Sequence, residues 1–380
     1  MRRDKVIILV VFLVAIGVTL GLRLNWGNGQ NHEPASRARR TPGVIEGQFR
    51  GIALQLANGA ETHPFEQYIT EIADTGANTI CLVVAGYQEN CSSTCIFIDS
   101  RKTPTDARIR KLIAHAHKEG LRVMLMPIVL LENPRKQEWR GKIKPDNWDD
   151  WWSRYNSFLL HYATIAADSE VEVFAVGSEL LSTERNEKQW RDLISRVRKV
   201  APRALLTYSA NWDHYDVPKF WDALDIVGMT TYYDLTGDKK PTLETLRNSW
   251  QAIRKEVLDW QAKIDRPLMF TEVGWPNQET AAKYPWNYYA SENKPDPKQQ
   301  SDCFQAFFDT WLDEPAVAGF VVWEWQNWPG QKTGPADTGY VPKGKPAMKV
   351  IEKAFRAGAA SRPAEDRAAT SAPSSGLATE

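Results

Sequence analysis

Short, almost uninterrupted apolar runs alternate with amphipathic helical segments along most of this chain, and this alternation limits its fold more than any other feature. The runs are Phe49–Leu56, Thr79–Val84, Arg122–Leu130, Val171–Val176, Ala204–Ser209, Asp225–Thr231, Pro267–Thr271 and Gly319–Trp325. Strands with apolar residues on both faces are parallel strands covered on both sides. The helical patterns between them are Phe65–Thr75, Asp106–Glu119, Trp148–Ala167, Glu187–Val200, Leu243–Gln261, Lys298–Leu312 and Pro346–Ala357, with a shorter one at Val217–Leu224. Eight strands, each followed by a helix, predict an α/β protein of the (β/α)₈ TIM-barrel class. An open doubly wound sheet is the alternative, but no glycine-rich phosphate loop follows the first run.

The two ends of the chain do not share this pattern. Met1-Arg-Arg-Asp-Lys5 precedes an uncharged apolar run from Val6 to Leu22, long enough for a minimal membrane span. Residues 1–24 therefore read as a basic cytoplasmic end plus a transmembrane or signal anchor, which leaves the remainder outside the cytoplasm, periplasmic or at the cell surface. Secretion after signal cleavage is the alternative. Residues 25–46 read as a flexible linker, 47–357 as the barrel domain and 358–380 as a low-complexity tail. Of the 4 cysteines, Cys91 and Cys95 lie in one polar loop where a small disulfide ring could close. Cys81 and Cys303 lie in apolar segments and read as small hydrophobes.

In a parallel barrel the working residues gather at the C-terminal ends of the strands. Two of those ends carry a glutamate. Arg266-Pro-Leu-Met-Phe-Thr-Glu272-Val-Gly-Trp-Pro276 runs an apolar strand into a carboxylate, and Val171-Glu-Val-Phe-Ala-Val-Gly-Ser-Glu179-Leu does the same. Either residue alone has an ordinary explanation, a helix-start carboxylate for Glu179 or an ion-paired one for Glu272. By strand count they fall on the fourth and seventh strands, across the barrel mouth from each other. Two carboxyl groups flanking one bond are what hydrolysis of a glycosidic linkage requires.

The same strand ends supply further candidates. Tyr232, ending the sixth strand, is placed to donate a hydrogen bond to Glu272; Tyr233 points the other way in a regular strand, which leaves open which of the pair faces the carboxylate. Asn211 and Trp212 end the fifth strand and read as lining the site. Tryptophan is abundant, with 16 residues, and many of them fall near loops or strand ends. Roughly half are assigned to core packing. Others, Trp275, Trp323 and Trp325 among them, are candidate platforms for the apolar faces of sugar rings, with Trp323 and Trp325 expected on one face of the eighth strand. Glu324 between them reads as the structural partner of an arginine.

The motifs Phe174-Ala-Val-Gly-Ser-Glu179-Leu, Leu206-Thr-Tyr-Ser-Ala-Asn211-Trp-Asp, Phe220-Trp-Asp-Ala-Leu-Asp-Ile-Val-Gly228, Thr231-Tyr-Tyr-Asp-Leu235 and Phe270-Thr-Glu272-Val-Gly resemble glycoside hydrolase family 113. That family lies within clan A of retaining barrel hydrolases, and the resemblance spans roughly Phe49 to Phe355. It implies cleavage of β-1,4-linked mannan-type polysaccharide by double displacement, with Glu179 as acid/base and Glu272 as nucleophile. Most clan members carry Asn before the acid/base. Here Ser178 stands there, which bears on how the sugar 2-hydroxyl is recognised.

Gly274-Trp275-Pro276 also resembles the β-1,3-glucanases of family 17, the alternative within the same clan. A carbohydrate-binding barrel without turnover is a further alternative, although it has no need of both carboxylates. Lys plus Arg and Asp plus Glu number 47 each and are scattered, so no nucleic-acid footprint is expected. His115 and His117 sit two apart on a helix and do not share a face. With 6 histidines and no metal-ligand spacing, neither a metal nor another cofactor is expected. The expected partners are a β-linked polysaccharide or oligosaccharide and, through residues 1–24, a membrane.

Overall fold

The computed structural model of the protein describes residue 45 and residues 47–237, 241–289 and 292–360. The segment Val6–Leu22 and the tail from residue 361 lie outside the described residues. Among those described, no helix is long and apolar enough to cross a membrane.

Within the unit Arg40–Glu380, eight parallel strands close into a barrel. They are β1 (Phe49–Gln55), β2 (Thr79–Gln88), β4 (Arg122–Leu131), β5 (Val173–Ser178), β6 (Leu205–Ala210), β7 (Ile226–Thr230), β8 (Leu268–Val273) and β9 (Val317–Val322). Each pairs with the next, and β1 closes the ring by pairing with both β2 and β9. A two-residue strand, β3 (Ile96–Phe97), adds antiparallel to the end of β2.

Among the described residues seven helices surround the barrel: α1 (Phe65–Asp74), α2 (Asp106–Lys118), α3 (Trp148–Asp168), α4 (Glu187–Val200), α5 (Leu243–Ile264), α6 (Pro297–Trp311) and α7 (Pro346–Ala360). The expected helix at Val217–Leu224 is only a 3₁₀ turn at Trp221–Ala223. Pro218 denies that short segment a backbone donor. Its buried Phe220 and Trp221 hold it against the barrel as a loop.

The strand alternation divides the core in two. Inward-facing Phe49, Cys81, Val83, Met124, Met126, Val173, Ile226 and Met269 fill the lumen. The outward set packs under the helices, where Trp151, Trp190, Trp250, Trp275 and Trp311 are fully buried. The lumen is therefore a packed plug, and the substrate-accessible chemistry is confined to the C-terminal rim. All four cysteines are free, Cys91 buried and Cys95 exposed, so the possible ring at Cys91 and Cys95 is not closed.

Candidate active site

Glu272 is the penultimate residue of β8, and Glu179 directly follows β5. Both are nearly buried, 3% and 7% exposed respectively. Burial at that level is costly for an ionised carboxylate without partners, and the partners come from the loop after β4 and the segment after β7.

Glu179 adopts φ +50°, in the left-handed region that a side chain other than glycine seldom occupies. Neighbouring contacts hold it there. Its N–H donates to the Ser209 carbonyl at 2.8 Å, and the next N–H, of Leu180, donates to the Tyr208 hydroxyl at 2.9 Å. Tyr208 in turn donates to the wholly buried Glu184 at 2.9 Å, whose other oxygen lies 3.0 Å from His214 Nδ1. Upstream, a Cβ at Gly177 would come within 2.9 Å of both the Trp190 ring and the Tyr155 hydroxyl. Backbone held in a sparsely populated region by its surroundings is characteristic of working sites.

Glu272 is held differently. Tyr232 donates its hydroxyl proton to Oε2 at 2.9 Å. Oε1 is buried and has no hydrogen-bond partner among the described residues. The two tyrosines follow β7, which ends at Thr230, and they part in the segment beyond it: Tyr232 faces the site, while Tyr233 packs under Trp212 and Trp250.

Arg140 links the two carboxylates, and nothing in the sequence marked it. It lies in the 132–147 loop after β4, in the 3₁₀ turn Arg140–Lys142. Its Nη2 donates to Glu179 Oε2 at 2.6 Å and to Ser178 Oγ at 3.5 Å, and it stands 3.8 Å from Glu272 Oε1. Several contacts seat this loop on the 89–95 segment. Lys144 and Asp146 donate backbone N–H groups to Cys91 and Ser92 at 2.8 and 3.0 Å, and the Cys91 thiol lies 3.5 Å from the Trp139 carbonyl. Gly141 leaves room for the Trp139 indole, which a Cβ there would meet at 2.4 Å.

Burial raises the pKa of Glu272 to about 8, reinforced by the charge of Glu179 and opposed by Arg140 and the Tyr232 hydroxyl. Burial also raises Glu179, with Arg140 again the main opposing influence. For Arg140, burial works against the charge, but the two carboxylates outweigh it and raise its pKa. The site therefore favours one shared proton, leaving one carboxylate charge against one guanidinium.

The other expected site residues are unevenly placed. Ser178 is buried beside Arg140. Asn211 and Trp212 are partly exposed at the end of β6, where Asn211 donates to Asp213 at 2.6 Å. Trp212 also stacks with the exposed Trp286 at 6.1 Å and 15°. Trp286 lies in the long loop after β8 and extends the aromatic surface that the strand-end rule located only at Trp212.

Three expectations are corrected. Trp275 is not a sugar platform: it is 0% exposed, wedged against Phe304 and Phe307 of α6 and Trp250 of α5. Trp325 is also buried, its indole N–H donating to Glu71 at 3.1 Å with Lys343 over the ring. Because β9 ends at Val322, strand alternation does not extend to Trp323 and Trp325, and only Trp323 is partly exposed. Glu324 pairs with Gln55 at the end of β1, not with an arginine, and burial raises its pKa to about 7.

A closed parallel barrel with paired, buried carboxylates on its C-terminal rim has the architecture of a (β/α)₈ glycoside hydrolase. The chain belongs to glycoside hydrolase family 113, whose profile matches residues 58–345, and it is a mannanase-like member of that class. A GH113 β-1,4-mannanase solved as a complex superposes with a TM-score of 0.73 at 27% identity, covering 83% of this chain and 100% of its own. The GH113 β-mannanase AaManA from Alicyclobacillus acidocaldarius, in complex with ManMIm, gives 0.72 at 28% identity, covering 82% and 98%. A GH5_18 protein from Streptomyces cattleya in complex with GlcNAc, at 15% identity and a TM-score of 0.57 over 84% of this chain and 82% of its own, shares the fold. No curated protein sequence matches the chain. Family 113 membership decides against family 17.

Proposed function

We propose that the protein is a retaining hydrolase of β-1,4-linked mannan-type polysaccharide, with Glu272 as nucleophile and Glu179 as acid/base. The observation that carries the reading is the single guanidinium nitrogen 2.6 Å from Glu179 and 3.8 Å from Glu272. The facing oxygens can be no farther apart than those two legs combined. That bound brings the two carboxyl groups to one bond and allows the ~5–5.5 Å of a retaining pair.

The roles follow from the surroundings of each carboxylate. Glu272 receives the Tyr232 hydroxyl proton on Oε2, which favours its ionised form and leaves Oε1 free to attack the anomeric carbon. Burial favours the protonated form of both carboxyls, and the shared proton is assigned to Glu179, which accepts no tyrosine hydroxyl among the described residues. It can give its proton to the leaving oxygen and later take one from water. The partly exposed Trp323 and the Trp212–Trp286 stack on the C-terminal rim offer flat surfaces to sugar rings. The mannan preference rests on the GH113 β-1,4-mannanases that this chain resembles.

The test is Glu272→Ala assayed on a β-1,4-mannooligosaccharide. Hydrolysis should be lost, and azide should restore turnover with an α-configured mannosyl azide as product. Undiminished hydrolysis by this variant, or a β-azide, would refute the assignment.

A further inference from the structure

Arg140 is placed unusually for a residue that only braces a loop. Its guanidinium lies between the two carboxylates, close enough to Glu179 for a hydrogen bond and one short step from Glu272. Its Nε is buried and has no partner among the described residues, so the group is not fully committed to its present contacts. The titratable groups facing this cluster are Cys81 on β2, Tyr208 on β6, Asp213 after β6, Tyr232 after β7, Glu324 after β9 and Tyr340 before α7. Each is neutral or acidic, so the positive charge at the centre comes from Arg140.

We propose that Arg140 is a shared counter-ion that serves the two carboxylates in turn, offsetting Glu272 while Glu179 carries the acid proton and offsetting Glu179 once Glu272 has become an ester. This rests on the double-displacement reading above. In the first step Glu272 Oε1 bonds to the anomeric carbon, the glycosidic C–O bond breaks, and the proton of Glu179 passes to the leaving oxygen. Glu272 is then a neutral ester and Glu179 an anion. In the second step water attacks the anomeric carbon, its proton passes to Glu179, and the ester bond breaks to return Glu272 as an anion.

One carboxylate is ionised at each resting stage, and one cation faces it. The ionised position moves across the site, but the guanidinium moves little, because both acceptors are already within its reach. A buried site keeps its net charge near zero in both halves of the cycle, which matters where the effective dielectric is low. Arg140 thus acts through the carboxylates, as a positioning residue for charge.

The test compares Arg140→Met and Arg140→Gln with Arg140→Lys, using a dinitrophenyl β-mannobioside whose leaving group needs no acid. Loss of the cation should move the acidic limb of kcat/KM upward by about one pH unit or more. It should also slow the second step at least about tenfold, so that kcat and KM fall together. A dinitrophenolate burst and a covalent glycosyl adduct, seen by intact-protein mass spectrometry, should accompany that slowing. Arg140→Lys should keep the acidic limb near its wild-type position and accumulate little adduct.

An unmoved acidic limb without adduct in whichever neutral variant folds would overturn the proposal. So would a lysine variant behaving like the neutral ones, since shape and not charge would then matter. Should neither neutral variant fold, the lysine variant alone still decides, because a displaced limb there overturns the counter-ion role. Wild-type protein that forms no adduct with a 2-fluoro mannosyl fluoride would instead sink the double-displacement reading itself.

Discussion

Replacing Tyr232 by Phe removes one hydroxyl from the site and leaves the ring in place. That hydroxyl donates to Glu272 Oε2 at 2.9 Å, and the carboxylate is 3% exposed. A hydrogen bond to a charged group is worth about 1.5–3 kcal/mol, and one pKa unit corresponds to about 1.36 kcal/mol. The bond favours the ionised form, so its loss should raise the pKa of Glu272 by about 1–2 units. The acidic limb of kcat/KM on mannooligosaccharides should move up by the same amount. Below that limb the variant should therefore be about 10–100 times slower than wild type.

On the alkaline side of the limb the loss should be much smaller, because the negative charge on Glu272 is already dissipating as the glycosyl bond forms. The measurement is kcat/KM across pH for both proteins, with thermal melts to confirm that the ring still packs against Tyr340. An acidic limb that stays in place, combined with a uniform loss of activity at all pH values, would refute the reasoning. Tyr232 would then be orienting substrate, not holding the nucleophile ionised.

Two further outcomes are expected. The pKa of Glu272 is raised from an ordinary 4.5 to about 8, so between those values the native state binds more protons than the unfolded chain and stability falls as pH rises. Glu272→Gln removes that dependence, so its melting temperature should exceed wild type by a margin that widens from about pH 5 to pH 8; a constant margin would contradict the buried-charge account. Trp275→Ala should cost about 3–5 kcal/mol of stability, as truncation of a fully buried aromatic does, while leaving KM for oligosaccharide unchanged in the folded fraction. A raised KM with an unchanged melting temperature would restore the platform role.

The eight barrel strands and the positions of Glu179, Glu272 and Tyr232 were legible in the sequence. A parallel strand covered on both faces must be apolar throughout, and its polar C-terminal end is then conspicuous. Which of Tyr232 and Tyr233 faces the nucleophile was decided by the segment after β7, because that strand ends at Thr230 and its two-residue period does not reach them. The same reasoning failed at Trp325, because β9 stops at Val322 and the two-residue period ends with it. It failed at Trp275 for another reason: the packing of α5 and α6 decides whether a rim tryptophan is covered, and local sequence does not encode that packing. The 3₁₀ turn at Trp221–Ala223 shows a short helical pattern yielding to the burial of its own aromatics.

By itself, then, the sequence determined the periodic frame and the two glutamates on its rim, because these follow from the strand period and the rim rule. The tertiary structure decided what surrounds them. Arg140 sits on a loop held by Cys91 and Ser92, and Glu179 is held at positive φ with support from Tyr208 and Glu184. Those contacts join segments far apart in the chain, and no local pattern records them. A carboxylate's protonation depends on the charges and cover within a few ångströms, so the chemistry of this pair is set by neighbours that only folding brings together.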